Sequence, residues 1–163
     1  MPQIHLSTGL EPDLRQRFYR PVFIVAAPRS GSTLLFETLA VNSAFSTLGG
    51  EAHWLVESMA ELRPGATGVD SNRLMGEHCT PLIASRITST VSDRLVDSKG
   101  APVTGKQSVR FLEKTPKNSL RIPFFLRIFP DARFIFLWRD PRENMSSIME
   151  AWQDPGWVTY RQL

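Results

Sequence analysis

Short apolar runs alternate along this chain with amphipathic stretches. Val22 to Ala27 is a run rich in β-branched and aromatic residues, and Arg133 to Trp138 (RFIFLW) is the clearest second one. Both have the length and make-up of buried strands. Phe111-Leu112-Glu113-Lys114 is a shorter strand candidate ending at Thr115-Pro116, and Ala44 to Leu48 is another, broken by Gly49-Gly50. Helical spacing fills the intervals. Leu34, Leu35, Thr38 and Leu39 follow the first strand. Trp54, Leu55, Met59 and Leu62 share a face within Glu51 to Leu62, and Leu82, Ile83, Ile87, Val91 and Leu95 form a stripe within Pro81 to Val96. Leu120 to Ile128 is expected to be helical despite Pro123. After RFIFLW, Asp140 suits an N-cap, Pro141 the first helical position and Glu143 the third, a capping-box-like start. Residues 1–20 are a polar lead-in with a turn of helix around Asp13 to Phe18, and Gly65 to Gly76 is irregular. Strands alternating with helices predict an α/β fold, a parallel sheet flanked by helices.

Composition narrows the class. At 163 residues the chain suits one domain with a real core, and 42% hydrophobic with 21% charged residues is ordinary for a globular protein. A net charge of +3 fits an anionic small molecule and gives no clustered basic face for nucleic acid. The N-terminus lacks an apolar core of signal-peptide length, and no run approaches a membrane span. Cys79 is the single cysteine, which excludes an internal disulfide and fits a reducing compartment. Nothing basic flanks Cys79 except His78, so it reads as a structural thiol. The expectation is a cytoplasmic protein without membrane or nucleic-acid partners.

The chemistry starts behind the first strand. Ala26-Ala27-Pro28-Arg29-Ser30-Gly31-Ser32-Thr33 turns the chain into a helix whose first N–H groups have no intrahelical partner, which makes an anion site. Arg29 adds a cation, and Ser30, Ser32 and Thr33 add hydroxyls. Aligned on the P-loop pattern, Ala26 and Gly31 take the glycine places and Thr33 the hydroxyl, while Ser32 stands where the lysine belongs. An ATPase without that lysine loses its main contact to the transferred phosphate. A second basic position, Arg139, ends the RFIFLW strand, at the edge where open α/β sheets bind ligands. Ser147 follows eight residues later, so a guanidinium and a hydroxyl are placed to hold a second phosphate.

These segments resemble those of the sulfotransferase family. A-A-P-R-S-G-S-T-L-L is similar to its 5′-phosphosulfate loop, F-P-D-A-R-F-I-F-L-W-R-D-P-R-E-N-M-S-S to its 3′-phosphate segment, and E-K-T-P-K-N to its lysine-bearing segment. The resemblance spans roughly Pro21 to Trp152 and is nearest to the bacterial and tyrosylprotein-type branches. It implies a P-loop-like, three-layer α/β/α domain over residues 21–163 that takes 3′-phosphoadenosine 5′-phosphosulfate as co-substrate. The sulfuryl group passes in line to a hydroxyl or amine of a small-molecule, glycan or peptide acceptor, with no metal. Carried over by position, Arg29, Ser30, Gly31, Ser32 and Thr33 cradle the 5′-phosphosulfate, Arg139 and Ser147 hold the 3′-phosphate, and Lys114 neutralises charge on the bridging oxygen.

The general base is open. The cytosolic small-molecule members place a histidine two residues after the lysine, where this chain has Pro116. Tyrosylprotein-type members use a glutamate in a Gly-Glu segment, which points to Glu51, alternatively a helix-start carboxylate; His53 is the second candidate, and Glu113 a third if its strand points inward. Trp54, Trp138 and Trp152 are expected in the core. Family members are longer, so the resemblance implies a sheet incomplete at its C-terminus, with an exposed edge inviting self-association. A P-loop phosphotransferase with an aberrant loop and an inactive nucleotide-binding module are the alternative readings.

Overall fold

The structure, a computed structural model, describes residues 17–105 and 107–153 together with Leu14. Its elements in chain order are β1 (Val22–Ala26), α1 (Ser32–Ala40), α2 (His53–Glu57), α3 (Pro81–Arg94), β2 (Leu112–Lys114), α4 (Ile122–Ile128), β3 (Arg133–Leu137) and α5 (Pro141–Gln153). Single 3-10 turns lie at Ala60–Leu62, Gly76–His78 and Pro116–Leu120.

The sheet order is β2-β1-β3, and both pairings are parallel. β1 is therefore central and is buried along its whole length, which is why VFIVA carries no polar residue. Side chains alternate across the sheet. On one face Phe23 stacks on Phe134 with ring centroids 5.4 Å apart and lies 4.8 Å from Phe125. That face joins Phe111, Phe124 and Phe129 and the α3 residues Ile83, Ile87 and Val91 in the larger core. On the other, Val22, Ile24 and Leu112 meet Phe36 of α1, with Leu35 and Leu39 packed against them. Helices thus cover both faces, a three-layer α/β/α arrangement.

Local signals account for most helix starts. Thr80 caps α3 by accepting from the Ile83 N–H at 3.3 Å, and Pro81 takes its first turn. Asp140 does the same for α5, accepting from the Arg142 N–H at 2.8 Å. Pro123 is tolerated because it falls in the first turn of α4, where its missing N–H would bond nothing. The Leu120 to Ile128 helix accordingly begins at Ile122, after a 3-10 turn.

Several expectations give way. RFIFLW is not a buried strand: β3 lies at the sheet edge, paired with β1 alone among the described residues, and Phe136 is 72% exposed. Apolar make-up does not distinguish an edge from a centre. Trp138 and Trp152 are likewise exposed and not in the core, whereas Trp54 packs against it. Ala44 to Leu48 forms only isolated bridges, Ser46 with Phe111 and Thr47 with Val96. The Glu51 to Leu62 helix is cut to α2 because Met59 is extended, at φ −92° and ψ 108°, which carries both Met59 and Leu62 into the core. Leu82, placed in the α3 stripe, faces outward. Of the Asp13 to Phe18 turn, Leu14 and Arg17 are helical, and Asp13, Arg15 and Gln16 lie outside the described residues. Phe18 ends the lead-in buried in the larger core and bridged to Val109. Among the described residues no helix is long and apolar enough to cross a membrane.

Candidate active site

The turn from β1 to α1 closes on itself. Ser30 Oγ donates to the Ala27 carbonyl at 2.7 Å, and Arg29 and Gly31 both adopt the left-handed region, at φ 65° and 90°. An arginine there is uncommon and is held by its surroundings. No side chain caps α1, so the first N–H groups at Ser32 and Thr33 are left for an anion. The loop is pinned from α5. Asn144 Nδ2 donates to the Pro28 carbonyl at 3.1 Å and to Ser30 Oγ at 3.2 Å. The sequence reading missed Asn144. Its signal was a polar residue on the buried side of an amphipathic helix.

Lys114 projects from the C-terminal end of β2, only 3% exposed, onto the α1 side of the sheet. Its ammonium donates to Thr33 Oγ1 at 3.0 Å and to Glu51 Oε1 at 2.5 Å. Glu51 Oε2 accepts from His53 Nε2 at 2.9 Å, since an ionised carboxylate can only accept. The His53 hydrogen bond, with the Lys114 ammonium beside it, outweighs partial burial and holds the Glu51 carboxyl down at about 2. His53 Nδ1 also lies 3.8 Å from Glu57, whose Oε1 accepts from Lys117 at 2.6 Å.

Arg139 leaves the end of β3 and donates to the Arg29 carbonyl at 3.0 Å and to Glu143 at 3.2 Å. Arg29 Nε in turn donates to Ser147 Oγ at 3.2 Å. Ser147 therefore bonds the arginine of the first loop, and the two strand ends form one basic cluster. A cavity of about 670 Å³ opens above it, walled by Arg29, Gly31, Ser32, Thr33, Glu51, His53, Arg139 and Ser147. Ser30 and Lys114 are not part of that wall; each bonds groups that are or that shape it. Leu34, Ile148 and Trp152 give the cavity an apolar side, so the exposed Trp152 faces a site. The size suits a nucleotide-sized ligand.

A polar network with little signal in the sequence adjoins the ion pair. Glu113 points into the larger core, 2% exposed, and burial pushes its carboxyl up against the pull of its hydrogen bonds. Thr115 Oγ1 donates to Glu113 Oε1 at 2.5 Å and Asn118 Nδ2 to Oε2 at 2.9 Å. Arg121, buried at 1% exposure, donates to Asn118 Oδ1 at 3.3 Å. Glu113 is thus sealed from the cavity, which removes it as a base. Its signal was three polar residues closing an otherwise apolar strand.

Among known proteins, the model described as the Sulfotransferase family matches residues 21–162, and the chain belongs to that family. A search of curated proteins found no match to the chain.

Proposed function

We propose that this sulfotransferase-family chain transfers a sulfuryl group from 3′-phosphoadenosine 5′-phosphosulfate to an acceptor hydroxyl or amine, with Glu51 as base. The observation that carries the reading is Lys114 Nζ lying between Thr33 of the anion loop and the Glu51 carboxylate. One cation is thereby within reach of both a 5′-phosphosulfate on the loop and the group that takes the acceptor's proton.

The loop amides of Ser32 and Thr33, the Arg29 guanidinium and the hydroxyls bind the 5′-phosphosulfate; Arg139, with Ser147, binds the 3′-phosphate. The acceptor oxygen attacks sulfur in line as the bond from sulfur to the bridging oxygen breaks. Glu51 takes the acceptor's proton, and adenosine 3′,5′-bisphosphate leaves with the bond's electron pair, stabilised by Lys114. Paired with Lys114, Glu51 is a weak base. An anionic donor competes for that ammonium and frees the carboxylate where it is needed. His53 Nε2 already donates to Glu51, which favours an orienting part for His53. The Gly-Gly-Glu context of Glu51 supports the tyrosylprotein-like branch. The lone cysteine supports a cytoplasmic setting. Among the described residues the outer edge of β3 has no partner strand, and its open backbone groups support pairing with a second copy.

Calorimetric titration tests donor class. Tighter binding of adenosine 3′,5′-bisphosphate than of ATP, without magnesium, is expected, followed by transfer of labelled sulfate to phenol, alcohol or glycan acceptors. Preference for ATP with magnesium overturns the reading in favour of a phosphotransferase, and donor binding without any transfer overturns the catalytic part of it.

A further inference from the structure

We infer that Glu113 and Thr115 are positioning residues for this site, fixing the Glu51–Ala52 peptide so that the Glu51 carboxylate meets Lys114; the inference rests on the function proposed above. Carboxylates are rarely buried without a dedicated partner set. Both Glu113 oxygens are engaged, by Thr115 Oγ1 at 2.5 Å and Asn118 Nδ2 at 2.9 Å. Thr115 has one hydroxyl proton and gives it to Glu113. Its lone pairs then face the Ala52 N–H, which donates to Oγ1 at 2.9 Å. The direction of the chain is therefore set by the carboxylate at its end: peptide N–H to hydroxyl to Glu113.

That N–H belongs to the peptide directly after Glu51. The other side of Ala52 is also held, since its carbonyl accepts from the Leu55 N–H at 3.0 Å and starts α2. Strand alternation puts Glu113 and Thr115 on one face and Lys114, between them, on the other. The same three residues thus carry the cation and clamp the backbone of its carboxylate partner. Neither Glu113 nor Thr115 lines the cavity, so their effect passes through Glu51. Thr115 is fully buried, and no solvent replaces its hydroxyl when it is removed.

Thr115→Val removes the hydroxyl at nearly constant volume, and Thr115→Ser keeps it. The expected result is a roughly ten-fold lower kcat for Thr115→Val, recovery to within about two-fold in Thr115→Ser, and unchanged affinity for adenosine 3′,5′-bisphosphate in both. A second readout needs no turnover. The Glu51 carboxyl, followed by carbon-detected NMR in the free protein, should titrate higher in Thr115→Val than in wild type and return in Thr115→Ser. Its other neighbours, His53 from α2, Lys114 from β2 and Arg29 and Arg139 across the cavity, are untouched. Wild-type kcat and an unmoved Glu51 titration in Thr115→Val overturn the inference. So does a kcat loss that Thr115→Ser fails to recover. If wild type transfers no sulfuryl group, the proposed function fails, and the Glu51 titration alone decides the positioning. Glu113→Gln, which keeps the shape but offers an N–H₂ to one of two donors, should reproduce the Thr115→Val titration; a wild-type titration there overturns Glu113's part.

Discussion

The Lys114 ammonium stands 2.5 Å from the Glu51 carboxylate. The pair joins the end of β2 to the segment before α2, and Lys114 also reaches Thr33 at the start of α1. A pair like this is a poised state. With Lys114 and His53 both on the carboxylate, Glu51 sits at about 2 and is ionised at any pH near neutral, yet reluctant to accept a proton. Adding an anion at the loop changes one of those partners. Adenosine 3′,5′-bisphosphate should therefore raise the Glu51 carboxyl above about 2, as its 5′-phosphate draws on the Lys114 ammonium. Carbon-detected NMR titration with and without the nucleotide checks this, and an identical titration in both counts against a shared lysine.

The same geometry separates binding from turnover. Glu51→Gln removes the proposed proton acceptor but leaves the loop amides, Arg29 and Arg139 in place. Loss of a general base lowers kcat by about 10²–10⁴. Affinity for adenosine 3′,5′-bisphosphate should hold or improve, because the glutamine no longer competes for Lys114. Steady-state kinetics alongside calorimetry gives both numbers, and a parallel loss of affinity would make Glu51 a structural residue instead.

Stability should follow pH with a sign set by the direction of each shift. Glu51 titrates at about 2 in the fold, below its ordinary 4.5. The stabilisation it brings is present above pH 4.5 and lost as pH falls through 4.5 towards 2. The buried Glu113, pushed up by desolvation, acts in the opposite sense, favouring the fold on the acid side and less so as pH rises. Chemical denaturation of Glu51→Gln from pH 7 to pH 2 should show a shallower acid loss than wild type. Parallel curves would mean that the ion pair adds nothing to the fold.

The legible parts of this protein were those set by local rules. The β1 run, the Asp140 cap and the proline-started helices follow from a few adjacent residues, and the turn from β1 to α1 from its own small residues, whereas the Thr80 cap emerged only in the structure. Arg29, Arg139 and Ser147 were legible as a set, but not their contact, since Arg29 meets Ser147 across 118 positions. Long-range relations were the losses. Whether RFIFLW is central or at an edge depends on what pairs beside it. Whether Glu113 faces the core or the cavity depends on strand register against β1. The Ala52–Thr115 bond spans 63 positions, and no spacing rule announces it. Asn144 was hidden because helical asparagines are usually solvated, and only the packed loop shows what it holds.

Gly31 tests the loop by backbone alone. It takes φ 90°, and a Cβ added there would meet nothing within 4 Å. Gly31→Ala is thus free of clashes and carries only the cost of a left-handed L-residue, about 1–2 kcal/mol. The protein should remain folded with a modestly lower Tm, while affinity for adenosine 3′,5′-bisphosphate drops as the Ser32 and Thr33 amides turn away. Thermal denaturation and calorimetry together read both effects. A full loss of stability with normal binding in the surviving fraction would show that the turn matters to folding and not to the anion.

Arg139 offers the sharpest distinction between donors. Its guanidinium bonds the Arg29 carbonyl and Glu143, and it shares the cavity wall with Ser147. On the proposed function, removing it takes away a charge-assisted contact to a 3′-phosphate, worth about 1.5–3 kcal/mol, and it also loosens the Arg29 carbonyl. The first effect depends on the ligand and the second does not. Arg139→Ala should weaken adenosine 3′,5′-bisphosphate by roughly 10–100-fold, from that same range, yet weaken adenosine 5′-phosphate much less. Titrating both nucleotides into both proteins isolates the 3′-phosphate. An equal loss for the two ligands would confine Arg139 to bracing the loop, and the 3′-phosphate would then need another cation.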